Sequence, residues 1–295
     1  MAWKKSTVSK SVYRRQLAAR LRDLREDAEL TLADVARKVE VSQGSLSRIE
    51  TGDRGTTPLL VKALLDCYEV TDTTLREDLL DLVRADQAQK RPWWKKYATV
   101  VNTTQYGGYL TLESSATSLR TYQPLLVPGL LQTEAYAREI ITEMRPDLSA
   151  RQVQALVDVR MRRQEMLDTD NAPTLWAVID EAAIRRHIRS TETARQQLEK
   201  LVHASEHPRI TIQFLPFTAG AHAGLYGSFM LMDFPAPTPE VVWVENLTNS
   251  VCFEDPGDVD RYIEVFDHLR SRALEPSETC RRFRTIAREL QHEEP

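Results

Sequence analysis

The sequence contains few of the residues from which enzyme and metal sites are usually built. It has three cysteines and six histidines in 295 residues. No cysteine lies in a CxxC pair or stands at zinc-ligand spacing from a histidine. The motifs HExxH, GxSxG and GxGxxG and the P-loop are also missing. The sequence therefore predicts no metal, no cofactor and reduced thiols rather than a disulfide framework.

Long hydrophobic stretches are absent as well. No run reaches the roughly 18 apolar residues that a membrane span needs. The N-terminus, MAWKKSTVSK, has no apolar segment behind its charges, so it does not resemble a signal peptide. A content of 42% hydrophobic and 28% charged residues is ordinary for a soluble globular protein. We therefore expect a cytoplasmic protein of two domains that has no membrane partner.

Charge is divided unevenly along the chain. Residues 1–100 hold 19 Lys and Arg against 15 Asp and Glu, whereas residues 101–295 hold 20 against 28. Within residues 1–25 the count is 8 basic against 1 acidic. A basic end on an acidic chain fits one nucleic-acid-facing domain attached to a second domain. A solvated flexible arm would have the same composition.

The stretch from Leu30 to Gly52 predicts two short helices separated by a tight turn. Thr31 can cap the first helix, with Asp34 as a capping-box partner, and Ser42 can cap the second. Gly52 suits the position after a helix where the backbone takes the left-handed conformation. Apolar residues fall on one face of each helix: Leu32, Val35, Ala36 and Val39 in the first, Leu46 and Ile49 in the second. The second helix therefore has an apolar side and a polar side.

The polar side of the second helix carries side chains suited to reading DNA. Gln43 can bond adenine and Arg48 can bond guanine, in each case through two hydrogen bonds. Gly44 and Ser45 let the helix lie close to base edges and phosphates, and Ser47 completes this side. An ordinary solvated helix face would also be polar, so that alternative stays open for the face taken alone.

These residues resemble the helix-turn-helix of the phage-repressor or XRE family of regulators. The matching pattern is Leu30-Thr31, Ala36, Val41-Ser42-Gln43 and Ser47-Arg48-Ile49-Glu50-Thr51-Gly52. The resemblance implies four base-reading residues, Gln43, Gly44, Ser47 and Arg48. Ser45 is expected at a phosphate, and Thr31 and Arg54 are further candidates for contact with DNA. The expected partner is a double-stranded operator bound by a homodimer, because one recognition helix reads only a few base pairs.

One position departs from that family. Glu40 stands in the turn where the family usually has glycine. A side chain on a left-handed turn residue costs roughly 1–2 kcal/mol. We therefore expect either a turn of different shape or other contacts that offset the cost.

The first part of the chain predicts an all-α, five-helix, repressor-like domain at residues 11–85, after a basic flexible arm at residues 1–10. One helix precedes the stretch described above, and two follow it. Residues 86–108 form a polar linker that contains Trp93 and Trp94. The tryptophan pair could stack on nucleic acid, but we favour packing of the linker against a neighbouring domain.

Residues 109–295 predict an α+β domain with a mainly antiparallel sheet. A helix is expected around Leu112–Tyr122 and a helical stretch at Glu181–Ala204, with two more helices at the end of the chain. The expected strands are Leu175–Ile179, Arg209–Phe214, Gly227–Phe234, Val241–Glu245 and Ser250–Phe253. Strands in a row with helices before and after them indicate a sheet packed against helices.

This second part is similar to the C-terminal domain of actinobacterial antitoxin-like XRE regulators related to WhiJ. The matching segments are Leu112-Glu113 with Ala116, Val127 to Thr133 (VPGLLQT) with Tyr136-Ala137, Arg160 with Arg163-Gln164, Asp180-Glu181, Gln213 to Phe217 with Gly220 and His222, Gly227 with Phe229, and Val244-Glu245. Trp243 stands where the family expects an aromatic residue, usually tyrosine. The resemblance implies a regulator whose second half answers to a partner, a small protein encoded beside it.

Polar residues of the second part could gather into one cleft that binds a partner or ligand, or that performs acid–base catalysis. The members of this cleft would be Glu113, Arg160, Arg163, Asp180, Glu181, His222 and Glu245, and Trp243 is a further candidate for binding a partner or ligand. A buried arginine–carboxylate network holding the domain together would use the same charged residues. Because their spacing matches no known catalytic site, we predict recognition or structure rather than catalysis.

The leading interpretation is a sequence-specific transcriptional regulator that is not an enzyme. The alternative is an antitoxin-like interaction protein that sequesters a small partner and uses DNA binding for autoregulation. An enzyme with a DNA-binding head is a third hypothesis, for which the sequence suggests no substrate.

Overall fold

The computed structural model describes residues 12–88, 93–101, 106–186, 190–235 and 238–292. These residues form two compact units. The first unit contains the described residues up to 96 together with 106–115 and 238; the second contains residues 97–101, 116–235 and 239–292. The predicted basic arm at residues 1–10 lies outside the described residues. None of the described helices is both long and apolar enough to cross a membrane.

Five helices pack around the core of the first unit, which confirms the predicted repressor-like architecture. They are α1 (Val12–Asp27), α2 (Leu32–Lys38), α3 (Gln43–Glu50), α4 (Pro58–Cys67) and α5 (Thr73–Ala88). Each contributes apolar residues at helical spacing to one cluster, in which Leu21, Leu46 and Val61 are fully buried. A further helix, α6 (Tyr106–Glu113), also belongs to this unit.

Hydroxyl side chains begin the second, third and fourth helices. Thr31 accepts from the backbone N–H of Asp34 at 3.2 Å, and Ser42 accepts from that of Ser45 at 3.1 Å. Thr57 caps α4 in the same way. The predicted partner Asp34 accepts from the Thr31 hydroxyl at 2.5 Å, so this bond is made to the side chain and not to the backbone. Each cap satisfies a helix N–H that has no partner within the helix.

Three helix ends in the first unit carry glutamate in the left-handed conformation. Glu29, Glu40 and Glu69 have φ values of 55°, 55° and 57°. After Glu40, the N–H of Val41 donates to the carbonyl of Ala36 at 3.0 Å, and the residues after the other two glutamates make the same type of bond. Val41 also packs against the apolar cluster. The turn at Glu40 thus keeps the left-handed shape, and these contacts offset its cost.

A six-stranded mixed sheet organises the second unit. Its strands are β1 (Ser118–Gln123), β2 (Thr174–Asp180), β3 (Ile210–Leu215), β4 (Phe229–Asp233), β5 (Val241–Glu245) and β6 (Ser250–Phe253), in the order β3-β2-β1-β4-β5-β6. The pairs β1–β2 and β2–β3 are parallel. The pairs β1–β4, β4–β5 and β5–β6 are antiparallel. The predicted α+β domain with a mainly antiparallel sheet is therefore confirmed.

The start of this unit corrects one prediction. The expected helix around Leu112–Tyr122 is wrong, because α6 ends at Glu113 and residues 118–123 form β1. Tyr122 of β1 pairs with Val178 on one side and with Phe229 on the other. The helices of this unit are α7 (Glu134–Met144), α8 (Ala150–Gln164), α9 (Glu181–Arg185), α10 (Thr191–Ala204), α11 (Pro256–Arg272) and α12 (Pro276–His292). The expected helical stretch Glu181–Ala204 contains two helices, α9 and α10.

Helices cover both faces of the sheet. The side-chain amide of Gln213 donates to the carbonyls of Arg270 in α11 and Leu274 beyond it, at 3.2 and 3.1 Å. The ring of the neighbouring Phe214 packs edge-on against Phe283 of α12, with centroids 6.0 Å apart. Because successive side chains of a strand point to opposite faces, α11 and α12 lie on opposite sides of the sheet.

The left-handed conformation of Glu40 gives a stability prediction. Glu40→Gly removes the clash of a Cβ with the following carbonyl, so the free energy of unfolding of the first unit should rise by about 1 kcal/mol. Lys38→Gly, at an exposed right-handed position of α2, should instead lower it by about 0.5–1 kcal/mol. Hydrogen exchange of the α3 and α4 amides in the full chain measures both changes. A loss of stability in Glu40→Gly would refute this account of the turn.

Candidate nucleic-acid interface

The structure places one side of α3 in the core and the other in solvent. Leu46 and Ile49 are 0% and 2% exposed and anchor the helix. Gln43, Gly44 and Arg48 are exposed on the remaining surface. Three of the four expected base-reading residues are therefore accessible within the first unit.

Gly44 has no packing role inside the protein. A Cβ added at this position would meet no atom within 4 Å. Glycine in the middle of a helix is less stable than alanine by about 0.5–1 kcal/mol, and no described atom fills the space that an alanine methyl group would occupy at Gly44. The open space next to the Gly44 backbone lets a partner approach α3 more closely than any side chain would allow.

Ser45 differs from the expectation that it points away from the core. It is 8% exposed, and its hydroxyl accepts a hydrogen bond from Nη1 of Arg54 at 2.9 Å. The backbone N–H of Arg54 also donates to the carbonyl of Arg48 at 2.9 Å. Ser45 thus helps to hold the loop after α3 against that helix, and the exposed Arg54 is the member of this pair that is available to a phosphate.

The other two DNA-binding candidates lie at the edges of this surface. Ser47 is half-buried, and its carbonyl accepts from the N–H of Thr51 at 2.9 Å. Thr31 is exposed at the start of α2, where its hydroxyl takes part in the cap. Gln43, Gly44, Arg48 and Arg54 consequently form the most accessible group, which we call the reading face.

A buried ion pair that the sequence analysis missed fixes the end of α3. Nε of Arg25 donates to both carboxylate oxygens of Glu50, at 2.9 and 3.0 Å, and the two side chains are only 12% and 4% exposed. Nη1 of Arg25 donates to the carbonyl of Leu30 at 2.9 Å. The hydrogen bond to Glu50 raises the pKa of Arg25 by more than burial lowers it, so this pKa lies above its usual value. The signal was present, because Glu50 follows Leu46 by four residues and so falls on the buried side of the helix.

In the second unit, Arg160 and Arg163 lie beside the loop from Val127 to Thr133. Nη1 of Arg160 donates to Oε1 of Gln132 at 2.8 Å. An added Cβ at Gly129 would lie 3.5 Å from Nη1 of Arg163, which is itself buried. Glutamine side chains from α8 and α10 donate to three carbonyls of this loop, those of Gly129, Leu131 and Gln132. These contacts support a role for this group in holding the loop.

Asp180 and His222 come together at another place in the second unit. The hydroxyl of Tyr122 donates to Oδ2 of Asp180 at 3.1 Å, and Nε2 of His222 lies 3.8 Å from the same oxygen. Burial raises the pKa of Tyr122, and the charge of Asp180 adds to this effect. An added Cβ at Gly224 would lie 2.6 Å from the Tyr122 ring, so only glycine lets the 216–227 loop close over this group.

The remaining candidates, Glu113, Trp243 and Glu245, belong to other elements of the fold. Glu113 is 1% exposed in α6 of the first unit, where it accepts from the hydroxyl of Tyr109 at 2.6 Å. Trp243 is buried in β5, whereas Glu245 is exposed at the end of that strand. No set of three side chains able to hold a metal ion is found within the described ranges. The structure thus shows two local groups among the candidates, Arg160 with Arg163 and Asp180 with His222.

A cluster of charges that the sequence analysis did not identify joins β1 to the ends of β4 and β5. Nη2 of Arg120 contacts Glu240, and it lies 3.4 Å from Oδ1 of Asp233. Burial raises the pKa of Glu240 to about 7, and the nearby charge of Asp233 opposes its ionisation further. Strongly shifted carboxyl groups occur both in functional sites and in structural networks. The contact of Arg120 with the Phe266 ring of α11 favours the structural role.

Five large apolar side chains are exposed at one end of the sheet. The strand pairings place the ends of β1, β2, β3 and β5 and the start of β4 at this end. Around it stand Leu125, Phe217, Leu225, Tyr226 and Leu247, which are 57%, 59%, 69%, 99% and 97% exposed; we call them the apolar rim. The loop that bears three of them is anchored, because Glu181 accepts from the Phe217 N–H and Arg272 donates to the Ala221 carbonyl, both at 2.9 Å.

Two family models match the chain. A model described as a helix-turn-helix domain matches residues 16–79, which include the reading face. A model described as a domain of unknown function, DUF5753, matches residues 106–285. Neither the curated proteins nor the solved structures contain a significant match. The DUF5753 match carries no function, so the likeness to WhiJ-related regulators stays a prediction.

The buried pair between α1 and α3 gives a second prediction. Glu50→Ala removes the buried carboxylate that Arg25 bonds and leaves it only the exposed Glu26, 3.3 Å away, so the free energy of unfolding of the first unit should fall by about 3–5 kcal/mol. Replacing both partners with apolar residues, Arg25→Met with Glu50→Leu, should cost much less, because neither charge is then left unpaired. Hydrogen exchange of the α1 and α3 amides compares the variants. Equal losses in the single and the double variant would contradict this explanation.

Proposed function

The chain belongs to the DUF5753 family, and from this family's domain joined to a helix-turn-helix domain we infer a sequence-specific, DNA-binding transcriptional regulator. The single observation that carries the proposal is the reading face. Gln43 and Arg48 are exposed on a short helix whose opposite side is locked into a core. A helix presented in this way can enter the major groove, where glutamine and arginine distinguish adenine and guanine.

The proposed target is a double-stranded operator, read in the cytoplasm by a homodimer. One α3 helix can contact only a few base pairs, and two copies spaced one helical turn apart combine their specificity. The basic residues within 1–25 other than Arg14 and Arg25, which pair with Asp86 and Glu50, would supply contacts to phosphates together with the exposed Arg54. Affinity should consequently fall steeply as the salt concentration rises. The protein needs no cofactor in this function, and we propose no catalytic role.

Arg48 provides the sharpest test of this function. Arg48→Ala should relax the preference at one base position by about 1–3 kcal/mol, because the bidentate contact with that base is lost. Arg37, which lies on α2 with its side chain 80% exposed, serves as the matched control. Arg37→Ala should leave the sequence preference unchanged. Selection of bound duplexes from a random pool measures the preference of each variant.

Two results of this selection would count against the proposal. If Arg48→Ala selected the same sequences as the wild type, Arg48 would not read a base. If the wild-type chain enriched no sequence at low salt, the function as a regulator would itself be refuted.

We further propose that the second unit binds a small protein partner, encoded beside the regulator, through the apolar rim. Isolated exposed leucines are common on proteins, but nearly complete exposure of Tyr226 and Leu247 at the same end of a sheet is not. Aromatic and aliphatic anchors of this kind dominate protein interfaces. An antitoxin-like protein that sequesters this partner, and represses its own operon, would use the same two surfaces.

The role of the apolar rim can be tested with the small protein whose gene lies next to the gene of this chain. Tyr226→Ser with Leu247→Ser should abolish co-elution of the two proteins in size-exclusion chromatography, because the exposed anchors are lost. The control changes to serine the two other exposed large apolar residues found among those that the structure describes, Leu59 and Met144. This control variant should still co-elute with the partner. Loss of the complex in both variants, or in neither, would argue against the rim as the binding surface.

A further inference from the structure

The last helix carries a line of exposed arginines that neither the fold nor the partner surface explains. Arg281, Arg284 and Arg288 are exposed on α12. The same helix packs into the domain through Thr279, Phe283 and Ile286, which are 0%, 0% and 2% exposed. At about 100° per residue the three arginines fall within a wedge of roughly 60°, opposite the buried side. We call Arg281, Arg284 and Arg288 the arginine stripe.

The other arginine of α12 has a structural role. Arg282 lies 3.5 Å from Glu181 and 3.8 Å from Glu289, and its guanidinium lies over the ring of Phe214. These contacts attach α12 to α9 and to the sheet. Arg282 therefore does not belong to the stripe, although it neighbours Arg281 in sequence.

The members of the stripe have little local compensation for their charge. Arg281 lies 3.7 Å from Glu278, but both side chains are more than half exposed, which makes such a pair weak. Arg284 and Arg288 form no ion pair within the residues that the structure describes. By contrast, Arg138, Arg145 and Arg261 each contact a carboxylate at 2.7–2.9 Å.

The stripe also stands out against the charge of its surroundings. Residues 101–295 carry 20 basic against 28 acidic side chains, whereas the segment Pro276–His292 carries 4 against 2. An acidic domain repels an anionic partner from most of the domain surface. The stripe is a place where such a partner can approach, and three guanidinium groups in a row suit a line of anionic groups.

We propose that the arginine stripe binds backbone phosphates of the DNA duplex that α3 reads, an inference that rests on the proposed function. Arg281 and Arg288 are seven residues apart, which is about 10.5 Å along the helix. That length corresponds to roughly three phosphates of one strand at 3.4 Å each. Such contacts add affinity and fix orientation but carry no sequence information. A second contact within one chain also benefits from a high effective concentration.

The experiment compares full-length variants on the duplex selected by the wild type. Arg281→Gln, Arg284→Gln and Arg288→Gln are combined in one chain, and binding is followed by fluorescence anisotropy across a salt series. The slope of log K against log salt should become less steep by up to about 2.7, since each lost phosphate contact contributes about 0.9. The base preference should not change.

The control carries Arg138→Gln, Arg145→Gln and Arg261→Gln, which remove the same total charge from exposed positions. Its salt dependence should remain close to that of the wild type, and thermal melting checks that both variants are folded. An unchanged slope in the stripe variant, or an equal change in both variants, would overturn the proposal. The proposal would also be overturned if the stripe variant lost binding of the small protein partner but kept its DNA binding. That result would assign the stripe to an acidic protein. A wild-type chain that binds no duplex would instead refute the proposed function.

Discussion

The position of the reading face depends on the buried contact between Arg25 and Glu50. The guanidinium of Arg25, on α1, donates to Glu50, the last residue of α3, and to the carbonyl of Leu30 just before α2. A single side chain therefore fixes the positions of these three helices relative to one another. A buried ion pair seldom adds much net stability, because both charges lose their hydration. What this pair supplies is a defined position, since any rotation of α3 about its axis would separate the two charges. A helix that reads base edges needs this fixed orientation more than it needs additional stability.

The turns around α3 show the same preference for a defined shape over minimum energy. Glu40 adopts a conformation that glycine would adopt without strain, yet Val41 closes the turn with a backbone hydrogen bond and an apolar contact. Gly44 does the opposite, because it lies in a helix where alanine would be more stable and where no atom fills the space. The strain at Glu40 is offset by the contacts that Val41 makes within the protein. At Gly44 the space that a side chain would occupy is empty, which leaves room for a partner to approach the helix.

Local signals in the sequence predicted those parts of the structure that depend on local interactions. The caps at Thr31 and Ser42 and the strand Val241–Glu245 follow from short-range chemistry, and the structure has them. The helix expected around Leu112–Tyr122 was wrong, because residues 118–123 form β1, and the pairing of β1 with β2 and β4 is a long-range interaction. Ser45 is covered by Arg54, from a loop beyond the helix. Likewise, the spacing of Asp180 and His222 does not reveal that a glycine loop brings them together.

The two units suggest a division of work between specificity and affinity. Base contacts from α3 would choose the sequence, while arginines that meet only phosphates would strengthen binding at every site alike. The acidic composition of the second unit would make that strengthening directional, because the stripe is a local excess of positive charge on it. Within this unit, Glu181 accepts from the N–H of Phe217 in the apolar rim and lies 3.5 Å from Arg282 of α12. A partner that displaced Phe217 would therefore disturb a residue that holds α12 in place, and so could change the affinity for DNA without touching the reading face.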